Sequence, residues 1–493
     1  MAKMSREQLY RRIDQAEEGE WESLKQLAER SPWRQKFHIQ PEAGLLNDPN
    51  GFSFFEGEYH LFYQWFPLGT GHGMKYWYHT SSSDLVHWRN RGIGIAPGGP
   101  FDSHGAFSGS AIEKDGKLYL MYTGNTRSRG WIRHPFQCMA VMEPDGVITK
   151  LEQPVILKVP RGYTDHFRDP KVWKADGSYY CVIGAQRLDM TGGAVMFRSP
   201  DLSQWHFAGE IETSLKSFGY MWECPDYFEL DGTGILLFSP QGVSPQGDRF
   251  RNIYQSGYLT GSPMDLSSRE FQHGEFKELD CGFDFYAPQT TQAPDGRRLL
   301  TAWMGLPEIE YPTDDQGWAH CLTLPREISL QDGRLIQRPV RELVKLRGVK
   351  TEVRTVVNDE SLSIAELAGD AYELLVEIRD EGADRFGIEF RAGGLEKTVI
   401  YYDRLDGTLV LDRSLSGQSF ALKYGTERKC PLELQDGALT LHLFVDISSV
   451  EVFVNDGEAT FTARIFPERE STGITFFAEG GRVAFDALKW DTH

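Results

Sequence analysis

Short apolar runs joined by tight turns recur along the first part of the chain. The repeats start at the anchor positions Asp48, Ser108, Asp169, Glu223 and Tyr286. Each reaches a turn glycine eight to ten residues later and returns as a second apolar run, such as residues 59–63. Asp-Gly between apolar runs is a strong hairpin signal. Because the anchors lie about 60 residues apart, the pattern predicts a five-bladed β-propeller over residues 36–338, with one blade per repeat.

The two ends of the chain follow other patterns. In residues 5–30, apolar side chains at near-helical spacing predict a surface helix packed on the domain behind it, within an N-terminal helical segment 1–35. After a charged linker at 339–349, alternation over 439–445 and 450–454 is typical of half-buried strands. We therefore expect an all-β protein in which a C-terminal β-sandwich, residues 350–493, has a structural role.

Composition limits the classes of partner. A net charge of −19 disfavours nucleic acid or an anionic membrane, because both require a basic surface. No segment approaches the roughly 18 apolar residues that span a bilayer, and the charged first thirty residues lack the apolar core of a signal peptide. We expect a cytoplasmic protein that acts on a small molecule and needs no cofactor or metal; a homo-oligomer is compatible with the sequence.

The cysteines agree with that compartment. They are scattered, without a C-x-x-C pair, at Cys138, Cys181, Cys224, Cys281, Cys321 and Cys430. This spacing suits neither a disulfide framework nor a zinc site. Reduced thiols in apolar surroundings are the simplest interpretation.

The anchor positions carry the candidate chemistry. Inner strands of a propeller converge on its axis, so Asp48, Asp169 and Glu223 should face one small cavity. Unpaired like charges at short range are costly, which favours a functional reason over simple turn capping before proline. A proton donor and a second carboxylate are what glycoside cleavage needs.

Polar and aromatic side chains near the anchors suit a sugar. Asn47, Gln64, Ser108 and Arg168 can bind hydroxyls, while Trp65, Trp77, Phe107, Tyr286 and Trp303 offer ring faces. Two other tryptophans belong to a motif, S/P-D-L-x-x-W, that occurs twice, at residues 83–88 and 200–205. We expect Trp88 and Trp205 to pack between blades and not to contact a ligand.

Several stretches resemble glycoside hydrolase family 32. The signature-like motifs are GLLNDPNG at 44–51, FSGS at 107–110, FRDP at 167–170 and WECPD at 222–226. Residues 72–77, 219–222, 283–289 and 317–320 resemble the bacterial branch that hydrolyses sucrose 6-phosphate. The resemblance covers essentially the whole chain. It implies a five-bladed propeller, a C-terminal β-sandwich and hydrolysis of β-fructofuranosides with retention, on sucrose 6-phosphate, sucrose or both.

The resemblance also assigns roles. Asp48 would be the nucleophile, Glu223 the general acid and then base, and Asp169, held as an anion by Arg168, would bind fructose hydroxyls. The implied substrate-binding residues are Leu45, Leu46, Asn47, Gln64, Trp77, Phe107, Ser108, Arg168, Tyr286 and Trp303. Many relatives carry Trp where this chain has Leu45, so one aromatic wall of the pocket is missing.

Some alternatives remain open at this level. A fructan exo-hydrolase or a fructosyltransferase would share the same covalent intermediate. An arabinan-type hydrolase would not carry the 47–50 and 222–225 motifs, and a binding-only propeller would be expected to lack one of the acids. For a phosphorylated substrate, the expected phosphate contacts at the mouth are Lys75, Arg127, Arg129 and Arg133.

Overall fold

A computed structural model describes residues 4–492 and consists almost entirely of β-strands. Five sheets of four main antiparallel strands form consecutive blades, and a larger sheet forms the C-terminal domain. The predicted fold class, a five-bladed propeller followed by a β-sandwich, is confirmed. No helix within residues 4–492 is long and apolar enough to cross a membrane.

Each blade begins with its innermost strand. The strands of the first two blades are Gly44–Phe55, Glu58–Phe66, Tyr76–Ser82 and Arg89–Ile95, then Ala106–Lys114, Lys117–Arg127, Arg133–Met142 and Ile148–Lys150. Those of the third and fourth are Tyr163–Ala175, Ser178–Arg187, Gly192–Ser199 and His206–Glu210, then Met221–Leu230, Thr233–Gln241, Gly257–Gly261 and Lys277–Glu278. The fifth has Tyr286–Gln292, Arg298–Met304, Arg326–Gln331 and Arg334–Pro339.

The turn glycines lie where the repeats predicted them. In the first hairpin, Glu56 and Gly57 have φ values of 48° and 81°. Positive φ at both central residues is the requirement of a type I′ turn, whose twist matches that of paired strands. The same pairing of positive φ values recurs at Asp115-Gly116, Asp176-Gly177 and Asp231-Gly232. The predicted hairpins are therefore built on the residues that the sequence indicated.

A β-bulge recurs in all five innermost strands. In the first blade Leu46 pairs with Trp65 and Pro49 with Tyr63, so two residues oppose one. The bulged pairs are Asn47-Asp48, Phe107-Ser108, Asp169-Pro170, Cys224-Pro225 and Ala287-Pro288. A bulge re-aims side chains without ending the strand. The anchors are therefore not strictly equivalent. Asp48 lies within the bulge of the first blade, whereas Glu223 lies one residue before the bulge of the fourth blade.

Two short strands close the ring. Trp318–Ala319 pairs in parallel with Gly44 and Leu45 of the first blade, and Cys321–Leu322 pairs with the second strand of the fifth. The amide of Gly44 also donates to the carbonyl of Gly317 at 2.8 Å. The chain thus links its last blade to the strand that carries Asp48.

The S/P-D-L-x-x-W motif is a turn between the third and fourth strands. Asp84 Oδ1 accepts from the amides of Val86 and His87, and Trp88 Nε1 donates to the carbonyl of Leu85 at 3.1 Å. Trp205 Nε1 donates to the carbonyl of Leu202 in the same way, at 2.9 Å. Trp88 packs against an apolar cluster shared by the first and fifth blades, and Trp205 against one shared by the second and third, in line with the predicted packing between blades.

The N-terminal segment is helical in pieces rather than continuously. Its helices are Arg6–Leu9, the 3₁₀ helix Ile13–Gln15 and Glu20–Glu29. The break occurs because Gly19, the residue that caps the last helix, is left-handed at φ 77°. The segment packs on the first blade, where the rings of Trp21 and Trp65 lie 5.4 Å apart and Ile13 donates its amide to the Tyr76 hydroxyl.

The C-terminal domain is one sheet folded into two layers. Its strands are Arg347–Ser363, Tyr372–Asp380, Arg385–Gly393, Glu396–Asp403, Thr408–Leu415, Glu427–Pro431, Ala438–Asp446, Ser449–Val454, Ala459–Arg464 and Gly473–Thr492. The last strand pairs with Arg385–Gly393 through its first part and with Tyr372–Asp380 through its second. It therefore passes from one layer to the other, and both layers share a single apolar core.

Short 3₁₀ helices occupy some connections. They are Asp314–Gln316, Arg341–Leu346, Ala365–Leu367, Leu422–Tyr424 and Asn455–Gly457. Arg341–Leu346 follows the last strand of the fifth blade directly and leads into Arg347–Ser363. We propose residues 339–349 as the connection between the two domains because the chain leaves one sheet and enters the other there.

A buried charge network joins the domains. His38 contacts Asp446 Oδ2 through Nδ1 at 2.8 Å and Glu451 Oε1 through Nε2 at 3.0 Å. Arg326 donates to Glu451 Oε2 at 2.6 Å and to Asp280 Oδ2 at 3.1 Å. Burial alone would lower the pKa of His38, but its two carboxylate partners outweigh burial and raise that pKa to about 9. The imidazole is therefore a buried cation at neutral pH.

Candidate active site

Residue Cys224 connects the three predicted carboxylates. It directly follows Glu223, its amide donates to Asp169 Oδ2 at 3.0 Å, and its Sγ lies 3.7 Å from Asp48 Oδ2. Cys224 has a φ of 48°, the left-handed region, which turns its amide toward the third blade. Acids from the first, third and fourth blades thus meet at the axis.

Glu223 accepts hydrogen bonds on both carboxylate oxygens. Arg168 donates to Oε1 through Nε at 2.9 Å and through Nη2 at 2.6 Å. The Tyr286 hydroxyl and Gln241 Nε2 donate to Oε2 at 2.6 and 2.8 Å. Charge-assisted bonds of this kind hold a carboxylate in one orientation.

Arg168 was expected to stabilise Asp169 as the anion, but its shortest contact is to Glu223. The guanidinium points to Glu223, and its Nε lies 4.0 Å from Asp169 Oδ2. Burial raises the pKa of Asp169, and the neighbouring charge of Arg168 only partly offsets that effect. Adjacent residues were expected to pair, but the left-handed backbone of Asp169, at φ 69°, directs the two side chains apart.

Asp48 lies in a different environment. The hydroxyl of Ser108 donates to its Oδ2 at 2.5 Å, and Asn47 Nδ2 donates to its Oδ1 at 3.2 Å. Burial, followed by the charge of Glu223, raises the pKa of Asp48 against these hydrogen bonds. Unlike Glu223, Asp48 receives no direct bond from arginine.

Lys75 lies beside this pocket and not at the mouth. Lys75 is only 5% exposed, and its Nζ donates to Asn47 Oδ1 at 2.7 Å. Burial lowers the pKa of Lys75 to about 7, although the charge of Asp48 opposes the shift. The expectation that Lys75 contacts phosphate is therefore not supported, because its amine is enclosed next to Asn47 and His72.

Some predicted pocket residues pack in the core instead. Trp77 is fully buried against Phe62 and Tyr122, between the first and second blades. Its indole nitrogen donates to the carbonyl of Phe107 at 2.9 Å. Leu45 and Leu46 are likewise buried in the core that surrounds the first blade. Their contacts with the sugar stay a prediction.

The remaining aromatic residues stay close to the polar groups. Trp303 contacts Tyr286 edge-on, with ring centroids 6.0 Å apart, and lies 5.8 Å from the His72 ring. Arg133 lies 5.9 Å from the Phe107 ring, and burial, then the charge of Arg168, lowers its pKa to about 10. Among the three predicted arginines, Arg133 lies close enough to Glu223 for that charge to act on it, whereas Arg129 is exposed.

Further polar contacts cross the axis between residues that follow the bulges along the innermost strands. Gln289 Nε2 donates to the carbonyl of Gly109 at 2.6 Å, from the fifth blade to the second. Lys171 Nζ donates to the carbonyl of Thr290 and pairs with Asp226 at 3.0 Å. These contacts link the second, third, fourth and fifth blades across the axis.

Some residues that contact the carboxylates or Arg168 were not predicted from the sequence. Cys224 was interpreted as a buried thiol, and Gln241 and His166 were not identified. Gln241 lies on the second strand of the fourth blade, and His166 Nδ1 lies 3.1 Å from Arg168 Nη1. The only available signal was that Gln241 ends the strand that pairs with the strand of Glu223.

The fold and the site together define a glycoside hydrolase, because two carboxylates in unlike environments face one pocket. Comparison with known proteins agrees. Residues 38–339 match the family model described as glycosyl hydrolases family 32 N-terminal domain, and residues 342–491 match that of the family 32 C terminal. The chain belongs to glycosyl hydrolases family 32, as the sequence motifs predicted.

Relatives of known name cover the whole length. The chain is similar to the sucrose-6-phosphate hydrolase of Staphylococcus xylosus, with 46% identity over 100% of this chain and 99% of the relative. It is also similar to the raffinose invertase of Escherichia coli, with 41% identity over 95% and 97%. The solved sucrose-6-phosphate hydrolase of Lactobacillus gasseri superposes with a TM-score of 0.93 at 37% identity, covering 100% and 99% of the two chains.

Proposed function

We propose that this enzyme is a β-fructofuranosidase that hydrolyses sucrose 6-phosphate and sucrose with retention and releases fructose. The observation that carries the proposal is the contrast between the two carboxylates. Asp48 accepts from a hydroxyl and an amide, whereas Glu223 is held by Arg168, Tyr286 and Gln241. Retaining glycosidases need such an asymmetric pair, one group as nucleophile and the other as acid and base.

In the first step the Asp48 carboxylate attacks C2 of the fructosyl unit. The bond between C2 and the bridging oxygen breaks, and protonated Glu223 gives its proton to that oxygen, so glucose or glucose 6-phosphate departs. An ester between Asp48 and fructose remains. Ser108 and Asn47 orient the Asp48 carboxylate for this attack.

In the second step Glu223 accepts a proton from water, the water oxygen bonds to C2, and the ester bond to Asp48 breaks. Asp169, buried with a raised pKa, is placed to hydrogen-bond fructose hydroxyls. The proposed substrate contacts are Asn47, Gln64, Phe107, Ser108, Arg168, Tyr286 and Trp303. Leu45, Leu46 and Trp77 support them from the core.

The glucose unit would lie toward the open end, near the second blade. Arg127 and Arg133 face each other across the hairpin there, and Arg133 is the better placed for a phosphate because it lies near Phe107 and Glu223. The names of the relatives support a phosphorylated substrate. The protein is proposed to be cytoplasmic, where a phosphorylated sugar is retained, and a homo-oligomer is a further proposal.

Fructose release from sucrose and from sucrose 6-phosphate tests the function, with NMR of the first-formed anomer to test retention. Asp48→Ala should lose activity by several orders of magnitude while remaining folded. An enzyme that releases inverted product, or an Asp48→Ala variant with near-normal turnover, would contradict the mechanism.

Substrate preference needs a separate comparison of kcat/KM. One charge-assisted contact contributes about 1.5–3 kcal/mol, so Arg133→Ala should lower kcat/KM for sucrose 6-phosphate by roughly 10- to 100-fold and leave sucrose nearly unchanged. Arg482→Ala, an exposed arginine of the C-terminal domain, is the matched control. Equal wild-type values for both substrates would indicate a general invertase.

A further inference from the structure

Four hydrogen bonds run in series from Lys75 to Asp48. Lys75 Nζ donates to Asn47 Oδ1 at 2.7 Å, and Asn47 Nδ2 donates to Gln64 Oε1 at 2.9 Å. Gln64 Nε2 then bonds to Ser108 Oγ at 2.6 Å, and Ser108 donates to Asp48 Oδ2 at 2.5 Å. Every member is at most 5% exposed except Asp48, which is half-buried at the pocket.

The two ends of the series differ from its middle. Below the pKa of Lys75, about 7, its ammonium group can only donate, and an ionised carboxylate can only accept. The amides of Asn47 and Gln64 and the Ser108 hydroxyl can do both, so their orientation is decided by their neighbours. With Lys75 at one end, the Asn47 oxygen must face the amine, and its NH₂ group must face Gln64 and Asp48. Gln64 and Ser108 are then oriented in the same sense, so that Gln64 donates to Ser108 and Ser108 donates to Asp48.

Lys75 is held where it can fix that direction. Its carbonyl accepts the amide of Ala106 at 2.8 Å, which ties it to the second blade. Its Nζ also lies 3.3 Å from His72 Nδ1. Burial, then the charge of Lys75, lowers the pKa of His72 well below its usual value, so the imidazole is neutral and can accept. Both neighbours of the amine are therefore acceptors.

We propose that Lys75 is a positioning residue that sets the donor direction of this chain and so aims two donors, Asn47 Nδ2 and the Ser108 hydroxyl, at Asp48. The inference rests on the proposed role of Asp48 as nucleophile. Lys75 acts on both substrates alike because it works through Asn47 and contacts neither the glucose unit nor its phosphate.

Removal of Lys75 should be visible in the protonation of Asp48. The charged and titratable groups around Asp48 are Glu223, Asp169, Lys75, the Cys224 thiol and the Tyr286 hydroxyl. Lys75 lowers the pKa of Asp48 by its charge and keeps the two donors turned toward it. Without Lys75 the Asn47 amide can rotate its oxygen toward Asp48, which would raise the pKa of Asp48 further.

The test compares wild type, Lys75→Met and Lys75→Arg on sucrose and on sucrose 6-phosphate across pH. Methionine keeps the apolar stem, and we expect it to lower kcat by about 10- to 100-fold for both substrates. The acid limb of kcat/KM should move to higher pH. Arginine, which also only donates, should restore the position of that limb at least in part. If Lys75→Met does not fold, Lys75→Gln serves in its place.

Lys171→Met is the matched control, because Lys171 is also buried near the axis but pairs with Asp226. It should lower Tm without moving the acid limb. A Lys75→Met loss confined to sucrose 6-phosphate would identify a phosphate contact and overturn the proposal, as would a lower Tm with an unmoved limb. A wild-type enzyme that releases no fructose would refute the proposed function itself, whereas an active wild type with an unmoved limb in Lys75→Met refutes only this inference.

Discussion

The Tyr286 hydroxyl donates to Glu223 Oε2 at 2.6 Å and so couples the fifth blade to the acid carried by the fourth. Tyr286 is 2% exposed, and its ring also packs against Trp303. The bond therefore holds the Glu223 carboxyl in one rotamer from a rigid position.

Tyr286→Phe should keep the ring packing and remove only the donor. We expect kcat to fall by about 10- to 100-fold, in line with the roughly 1.5–3 kcal/mol of a hydrogen bond to a charged group, with little change in Tm. Steady-state kinetics on sucrose and thermal unfolding are the measurements. An unchanged kcat would mean that Arg168 and Gln241 orient Glu223 without help.

Glu223→Gln should separate substrates by their leaving groups. The variant cannot donate a proton, so sucrose hydrolysis should fall by about 10²- to 10⁴-fold. Aryl β-fructofuranosides with an acidic phenol need less protonation and should retain much more activity in the first step. Burst kinetics measure that step alone. Equal losses for both kinds of substrate would contradict the assignment of Glu223 as the acid.

Asp48→Asn should make the protein inactive and more stable. Because the pKa of Asp48 is raised in the folded state, the unfolded chain ionises first, and folding stability falls as pH rises from about 3.8 through the folded value. The amide avoids that cost, so the variant should gain about 0.5–2 kcal/mol at pH 7 and little below pH 3.8. Thermal unfolding at the two pH values checks the sign, and a variant less stable at pH 7 would contradict it.

His38→Gln should weaken the joint between the domains in a pH-dependent way. The raised pKa of His38 means that its stabilisation is complete below pH 6.5 and is lost as pH rises through about 9. At pH 6 the variant leaves Asp446 without its cation and Glu451 with Arg326 alone, which should cost about 3–5 kcal/mol of unfolding free energy. The difference from wild type should shrink above pH 9. Denaturant unfolding at both pH values measures it; a constant difference would show that the imidazole is neutral in the folded state.

The sequence was sufficient for the blades and for the acids. Turn glycines and apolar runs are local signals, so the hairpins lay where they were predicted, and the anchors lie at the axis because each belongs to an innermost strand. The seam strand Trp318–Ala319 could not be predicted in this way, since two residues carry no period. Its partner, Gly44–Leu45, lies at the opposite end of the propeller sequence.

Partner choice within the site was the part that sequence could not supply. Arg168 was expected to pair with its neighbour Asp169, but a left-handed backbone at that position decides otherwise. Lys75 was expected at the surface because lysine usually is, and only the tertiary arrangement encloses it beside Asn47. Interactions that depend on side-chain direction can be identified only in the three-dimensional structure, whereas those that depend on strand order can be predicted from the sequence.

The recurrent bulge has a consequence for how such an enzyme can change. Each innermost strand tolerates two residues opposite one, so the hairpin keeps its register whichever side chains stand there. The five bulges currently hold amide, hydroxyl, carboxyl, thiol and methyl groups. Mutation at these ten positions can therefore change the reactive groups that the bulges carry while the strand pairing stays as it is. The chemistry of these positions and the fold can then evolve separately.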